Sequence, residues 1–216
     1  TQYRMIENIG NLISKVFYRG IIDTGCNDDE KRHGLSRYVG KSIVWFDTSA
    51  NKKKSQKRTK GGSYINEEEK RIILEILDDL KSTGELKGLD IGIITGYSGQ
   101  KELLRKSIKA TGLDKIASKI DINTLDAFQG RENDIIIYST VRTRDSIGFQ
   151  KEKERVNVAF SRAKKLLIVC GDKNFFYNFD DQDNKFVEII DYISKGEECE
   201  IIQCDGGKLF ERESNS

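Results

Sequence analysis

The residue types that could do chemistry concentrate in two stretches, 123–142 (NTLDAFQGRENDIIIYSTVR) and 154–163 (ERVNVAFSRA). The first sets Asp126, Gln129, Arg131 and Glu132 in a polar loop around Gly130, with Arg142 and Arg144 beyond the apolar run that follows. The second carries Arg155 and Arg162, seven residues apart, which a helical period places on one face. A guanidinium offers a permanent charge and a planar fork of donors, so arginines beside a glycine loop suit the handling of phosphate. The competing chemistries are poorly served. The single histidine, His33, lies in a polar stretch, and neither a nucleophile elbow nor a metal-ligand cluster is present.

Alternating strands and helices must hold these residues in place. Residues 134–140 are short, rich in Ile and Tyr, and read as a buried strand; 154–163 reads as one amphipathic helix. Upstream, Ile6, Ile9, Leu12, Ile13 and Val16 give a helix over 5–18, and SIVWFD gives a strand ending at Asp47. Asn66 and Glu69 form an N-x-x-E capping pattern ahead of the stripe Ile72, Ile73, Ile76, Leu77 and Leu80. A strand over 89–95 leads to a helix capped by Ser98, and a further strand spans 120–125. Residues 165–171 are a strand with Cys170 buried in it, 184–194 a closing helix, and 199–204 an edge strand. Such alternation predicts an α/β domain with a mostly parallel sheet covered on both faces.

The same stretches carry a resemblance. TLDAFQGRENDIIIYSTVR resembles motif V, and ERVNVAFSRA motif VI, of the superfamily 1 helicases, in the branch of the up-frameshift RNA helicase and the DNA-replication helicase/nuclease. QYRM at 2–5 resembles motif IV, and IGIITGYSGQ at 91–100 a nucleic-acid-contacting motif of the second motor domain; the four occur in the family's order. The resemblance implies a RecA-like fold of the P-loop NTPase type and a role as the second motor domain. It also implies ATP and Mg²⁺, both shared with a first RecA-like domain, and single-stranded DNA or RNA as the track.

Residue by residue, the resemblance gives Tyr3 the adenine and Arg4 the ATP phosphates. Gly130, Arg131 and Glu132 would meet nucleotide, with Gln129 and Arg131 equally able to hold the loop. Thr95 and Thr124 would contact the nucleic-acid backbone, with Gln100 and Arg142 as further candidates and a helix-surface amide as the other reading of Gln100. Arg162 would be the arginine finger. The sequence departs from the family in having Ile6-Glu7 after Met5, Gly96 after Thr95, and Glu154 before Arg155.

Two further stretches test the phosphate reading. GLSRYVGKS at 34–42 approaches a phosphate loop, but five residues separate its glycines and a strand follows where a helix should open. Asp47 ends a strand as a Mg²⁺-binding acid would, yet no second acid follows. The chain therefore supplies half of a nucleotide site. It is expected to be part of a longer polypeptide with the phosphate loop upstream, and not to hydrolyse ATP alone. The alternative is a non-catalytic module that keeps the fold and binds nucleic acid or protein.

Composition agrees with an ordinary globular chain: 216 residues, 33% charged, 37% hydrophobic and a net charge of +2, so nucleic-acid binding would need a local basic surface. Residues 51–62 (NKKKSQKRTKGG) form one, read either as a flexible solvated loop or as a non-specific phosphate contact. Residues 206–216 read as a frayed tail. Four cysteines without a CxxC pair point away from zinc and disulfides and towards a reducing, cytoplasmic, nucleoid or nuclear setting; no apolar run approaches membrane-spanning length.

Overall fold

The computed structural model describes residues 1–26, 32–115, 119–128 and 130–210. Its helices are α1 (Glu7–Tyr18), α2 (Glu67–Ser82), α3 (Ser98–Thr111), α4 (Lys153–Phe160), α5 (Lys173–Tyr177) and α6 (Phe186–Lys195). Its strands are β1 (Ile43–Asp47), β2 (Lys57–Arg58), β3 (Tyr64–Ile65), β4 (Asp90–Thr95), β5 (Lys119–Thr124), β6 (Asn133–Ser139), β7 (Ala163–Gly171) and β8 (Cys199–Gln203). Six of these make one parallel sheet in the order β5-β4-β6-β7-β1-β8, and β2 and β3 pair antiparallel in a small hairpin.

Both faces of the sheet are dry, which is why its strands read as continuous apolar runs. Ile43, Trp45, Ile136, Tyr138, Leu167 and Val169 pack under α1, α4 and α6. Their alternating neighbours Val44, Phe46, Ile135, Ile137, Leu166, Ile168 and Cys170 pack under α2 and α3. The α2 stripe is wholly buried as its spacing predicts, and Cys170 is an interior thiol whose pKa burial raises. Among the described residues no helix is long and apolar enough to cross a membrane.

Several local expectations are corrected. Asn66 caps α2, accepting from the N–H groups of Glu68 and Glu69, but Glu69 does not complete a capping box. Its fully buried carboxylate crosses to the end of β6 and accepts from Ser139, Thr140 and the Val141 N–H. Ser98 does not cap α3 either; Ser63 Oγ accepts from the Gly99 N–H at 3.0 Å. The helix expected over 154–163 closes at Phe160, so Arg162 lies in the turn between α4 and β7. Arg155 pairs with Glu152 and Asp126, and the two arginines make separate contacts.

The basic segment is anchored where a loose loop was expected. Lys54 is bonded to Asp172 at 2.7 Å, and buried Gln56 exchanges hydrogen bonds with Thr143. Within the tail, the Leu209 N–H reaches Glu75 and Phe210 packs on Phe46 and Arg37. The stretch resembling a phosphate loop forms a short 3-10 turn, Ser36–Tyr38, and Lys41 Nζ donates to the carbonyls of Glu197 and Cys199.

Candidate functional site

Parallel pairing puts the N-terminal ends of neighbouring strands side by side, and one predicted cluster forms there. Glu132 directly precedes β6 and Arg162 directly precedes β7; Asn133 and Ala163 are register partners, and the Asn133 N–H donates to the Arg162 carbonyl. The segment before α1 joins them because the Ile6 N–H donates to the Lys164 carbonyl at 2.8 Å. Arg4 and Glu132 are thereby brought into an ion pair, both side chains partly exposed. Arg162 sits beside them: burial lowers its pKa, the Arg4 charge lowers it further, and Glu132 acts in the opposite sense. The Arg162 Nε is buried without a hydrogen-bond partner. A half-buried guanidinium with an unmet donor, next to a second arginine, has the chemistry to receive an anion.

Gln2, a residue the sequence reading passed over, shapes this segment. Its side-chain oxygen accepts from the N–H groups of Arg4 and Met5 at 2.8 Å, and its amide donates to the Met5 carbonyl and Thr24. Gly10 in α1 leaves the room, since a Cβ there would lie 2.6 Å from the Gln2 amide nitrogen. Tyr3 projects beyond this knot with 70% of its surface exposed. Gly130 has φ +80°, the left-handed conformation that favours glycine, and so turns the chain towards Glu132. Arg131 is directed to Asp121 of β5 and forms an ion pair there. Gln129 lies outside the described residues.

The four residues proposed for nucleic acid gather at the opposite, C-terminal rim. Thr95 and Thr124 end β4 and β5 as register partners, and Ser139 of β6 stands opposite Thr95. Thr124 is half-buried, whereas Thr95 is fully buried. Gln100 is fully buried too. It accepts from the Asn66 N–H and donates to the Asn66 carbonyl and Ser139 Oγ, so it braces the fold where a surface contact was expected. Arg142 is buried against the Tyr64 ring, 4.1 Å from its centroid, and donates to the Arg144 carbonyl. The two rims are separated by the length of β6, about 23 Å for seven residues.

A family model described as an AAA domain matches residues 1–174. Helicase SEN1 of Saccharomyces cerevisiae is 36% identical over 181 residues, 79% of this chain and 8% of that protein. The chain belongs to the AAA domain family. It is a second RecA-like domain of the superfamily 1 helicase family, in the branch first indicated by its four motifs. ATP-dependent helicase NAM7 of the same yeast is 32% identical over 179 residues, 79% of this chain and 18% of that protein. The RecA-like domain thus spans less than a fifth of either relative. The solved C-terminal domain of a possible DNA helicase from a Lactobacillus overlays with a TM-score of 0.45 at 14% identity, covering 80% of this chain and 88% of that one.

Proposed function

We propose that this RecA-like domain is the C-terminal motor domain of an ATP-dependent DNA or RNA helicase, and that it completes an ATP site begun by the first RecA-like domain. The observation that carries this reading is the convergence of Arg4, Glu132 and Arg162 around a buried, unpartnered guanidinium nitrogen. Arg162 acts as the arginine finger, placing positive charge where negative charge develops on the transferring phosphoryl group. Arg4 holds phosphate oxygens, Tyr3 covers the adenine, and Gly130 lets the backbone bring Glu132 to the nucleotide. Arg131 holds the loop through Asp121. ATP and Mg²⁺ are shared with the first RecA-like domain.

At the far rim Thr124 touches the nucleic-acid backbone, while Thr95, Gln100 and Arg142 form the support beneath it. The test is ATP turnover by the polypeptide extended at its N-terminus, with and without single-stranded DNA or RNA, beside its Arg162→Ala variant. Stimulated turnover should fall on the order of 10³-fold or more in the variant. Equal turnover in the two proteins would sink the reading.

A further inference from the structure

The hairpin that β2 and β3 form plays no part in the nucleotide cluster, yet it is built into the C-terminal rim. Its root is fastened by Lys54 on Asp172 and Gln56 on Thr143. Its turn is closed by the Thr59 N–H on the Ser63 carbonyl at 2.7 Å, with Gly62 at φ +83°. Its second strand is docked on α3, where Ser63 receives the Gly99 N–H. What this fixed hairpin displays is charge. Lys52, Lys53, Lys57, Arg58 and Lys60 are all exposed, and among the described residues none has an acidic partner within 4 Å. Like charges held close on a fixed frame repel one another, and a polyanion laid across them relieves that repulsion.

Aromatic rings adjoin the charge. Tyr64 of the hairpin meets Tyr97 edge-on with centroids 5.6 Å apart, and Tyr97 lies 5.5 Å from Phe149. Phe149 is 46% exposed and lies over Gly96, 3.7 Å from where a Cβ would stand. The turn Thr95-Gly96-Tyr97 is therefore flanked by an exposed ring on one side and a basic hairpin on the other. The Arg155 guanidinium also lies over this ring, 5.2 Å from its centroid, so a base stacking there would meet the part of Phe149 left exposed beside a cation. Cations along a backbone path beside a partly exposed ring match the chemistry of single-stranded nucleic acid, whose phosphates and bases need one of each.

We propose that the β2–β3 hairpin and Phe149 form an additional single-strand binding surface, with Lys57, Arg58 and Lys60 taking phosphates and Phe149 stacking on a base. The inference deepens the reading of the C-terminal rim and rests on it for the class of ligand. The hairpin's contribution is sequence-independent and salt-sensitive; that of Phe149 is insensitive to salt.

The experiment is fluorescence anisotropy of labelled oligo(dT) and oligo(U) with this chain over a salt series. Replacing Lys57, Arg58 and Lys60 together by Gln should flatten the log–log salt slope by about 2, for three phosphates at roughly 0.7 each on a single strand. Phe149→Ala should weaken binding roughly 5- to 100-fold at unchanged slope. A control losing the same charge elsewhere, Lys15→Gln with Lys87→Gln and Lys195→Gln, should keep the parental slope. Lys60→Glu alone, at the exposed turn, should weaken binding without the risk carried by three changes. An unaltered slope in the hairpin variant, an equal change in the control, or no binding at low salt would each overturn the proposal. Hairpin-dependent binding without Arg162-dependent turnover in the extended polypeptide would remove the motor reading and leave this surface standing.

Discussion

Glu69 of α2 holds Val141 by its backbone: the Val141 N–H lies 2.9 Å from both carboxylate oxygens. Val141 has φ +68°, a conformation that is strained for a β-branched residue and persists only where its surroundings impose it. The same carboxylate accepts from the hydroxyls of Ser139 and Thr140, so one buried acid fixes how the chain leaves β6 towards Arg142.

Burial pushes the Glu69 carboxyl up to about 7, against the hydrogen bonds from Ser139, Val141 and Thr140, which lower it. The folded protein thus binds this proton more tightly than the unfolded chain. Its contribution to stability is complete below the unfolded pKa near 4.5 and is lost as pH rises through about 7. The stability of the parent relative to Glu69→Gln should fall by on the order of 3 kcal/mol between pH 4 and pH 8. Urea unfolding at the two pH values measures it, and a pH-independent difference would refute the account.

Asn66 bonds in two directions from a fully buried position. Its oxygen caps α2, and its amide donates to the carbonyls of Lys54 at 2.7 Å and Val141 at 3.1 Å. Asn66→Ala should cost about 2–4 kcal/mol, the sum of a lost cap and two stranded carbonyls. A loss within 0.5 kcal/mol in chemical denaturation would contradict it.

A Cβ on Gly171 would run into Thr140 Oγ1, the hydroxyl that Glu69 receives. Gly171→Ala should therefore lose about 1–3 kcal/mol. Adding Thr140→Ala removes the collision, so the double variant should be more stable than the sum of the single losses predicts. Simple additivity would show that the clash is absorbed elsewhere.

Arg162→Lys keeps the charge and loses the planar fork. Because a lysine cannot present paired donors to phosphate oxygens, turnover by the extended polypeptide should drop by roughly 100-fold or more. Its unfolding midpoint should hardly move, as the Arg162 Nε makes no hydrogen bond to lose. Unchanged turnover would mean that charge alone suffices.

What sequence periodicity reports is burial, so the α2 stripe, the parallel strands and the interior position of Cys170 were legible from order alone. Partners distant in the chain were not. Glu69 has the spacing of a capping-box acid and instead serves residues seventy positions away. Gln100 and Ser98 begin a helix at a strand end, as surface contacts often do, but Asn66 and Ser63 claim that place from the other side. Arg155 and Arg162 share a face only if the helix continues; it stops at Phe160, where the chain bends into β7. The three residues of the nucleotide cluster come from segments far apart in order, and only the family motifs indicated that they belong together.

The passage from Thr124 to Glu132 begins at one rim of the sheet and finishes at the other. Its eight residues reach at most about 28 Å when fully drawn out, and a 3-10 turn at Asp126–Phe128 shortens that span. The height to be crossed is about 23 Å, the length of β6. The Phe128 N–H bonds back to the Leu125 carbonyl and the Arg131 N–H to the Phe128 carbonyl, so successive turns join the rim where β5 ends to the loop beside Glu132.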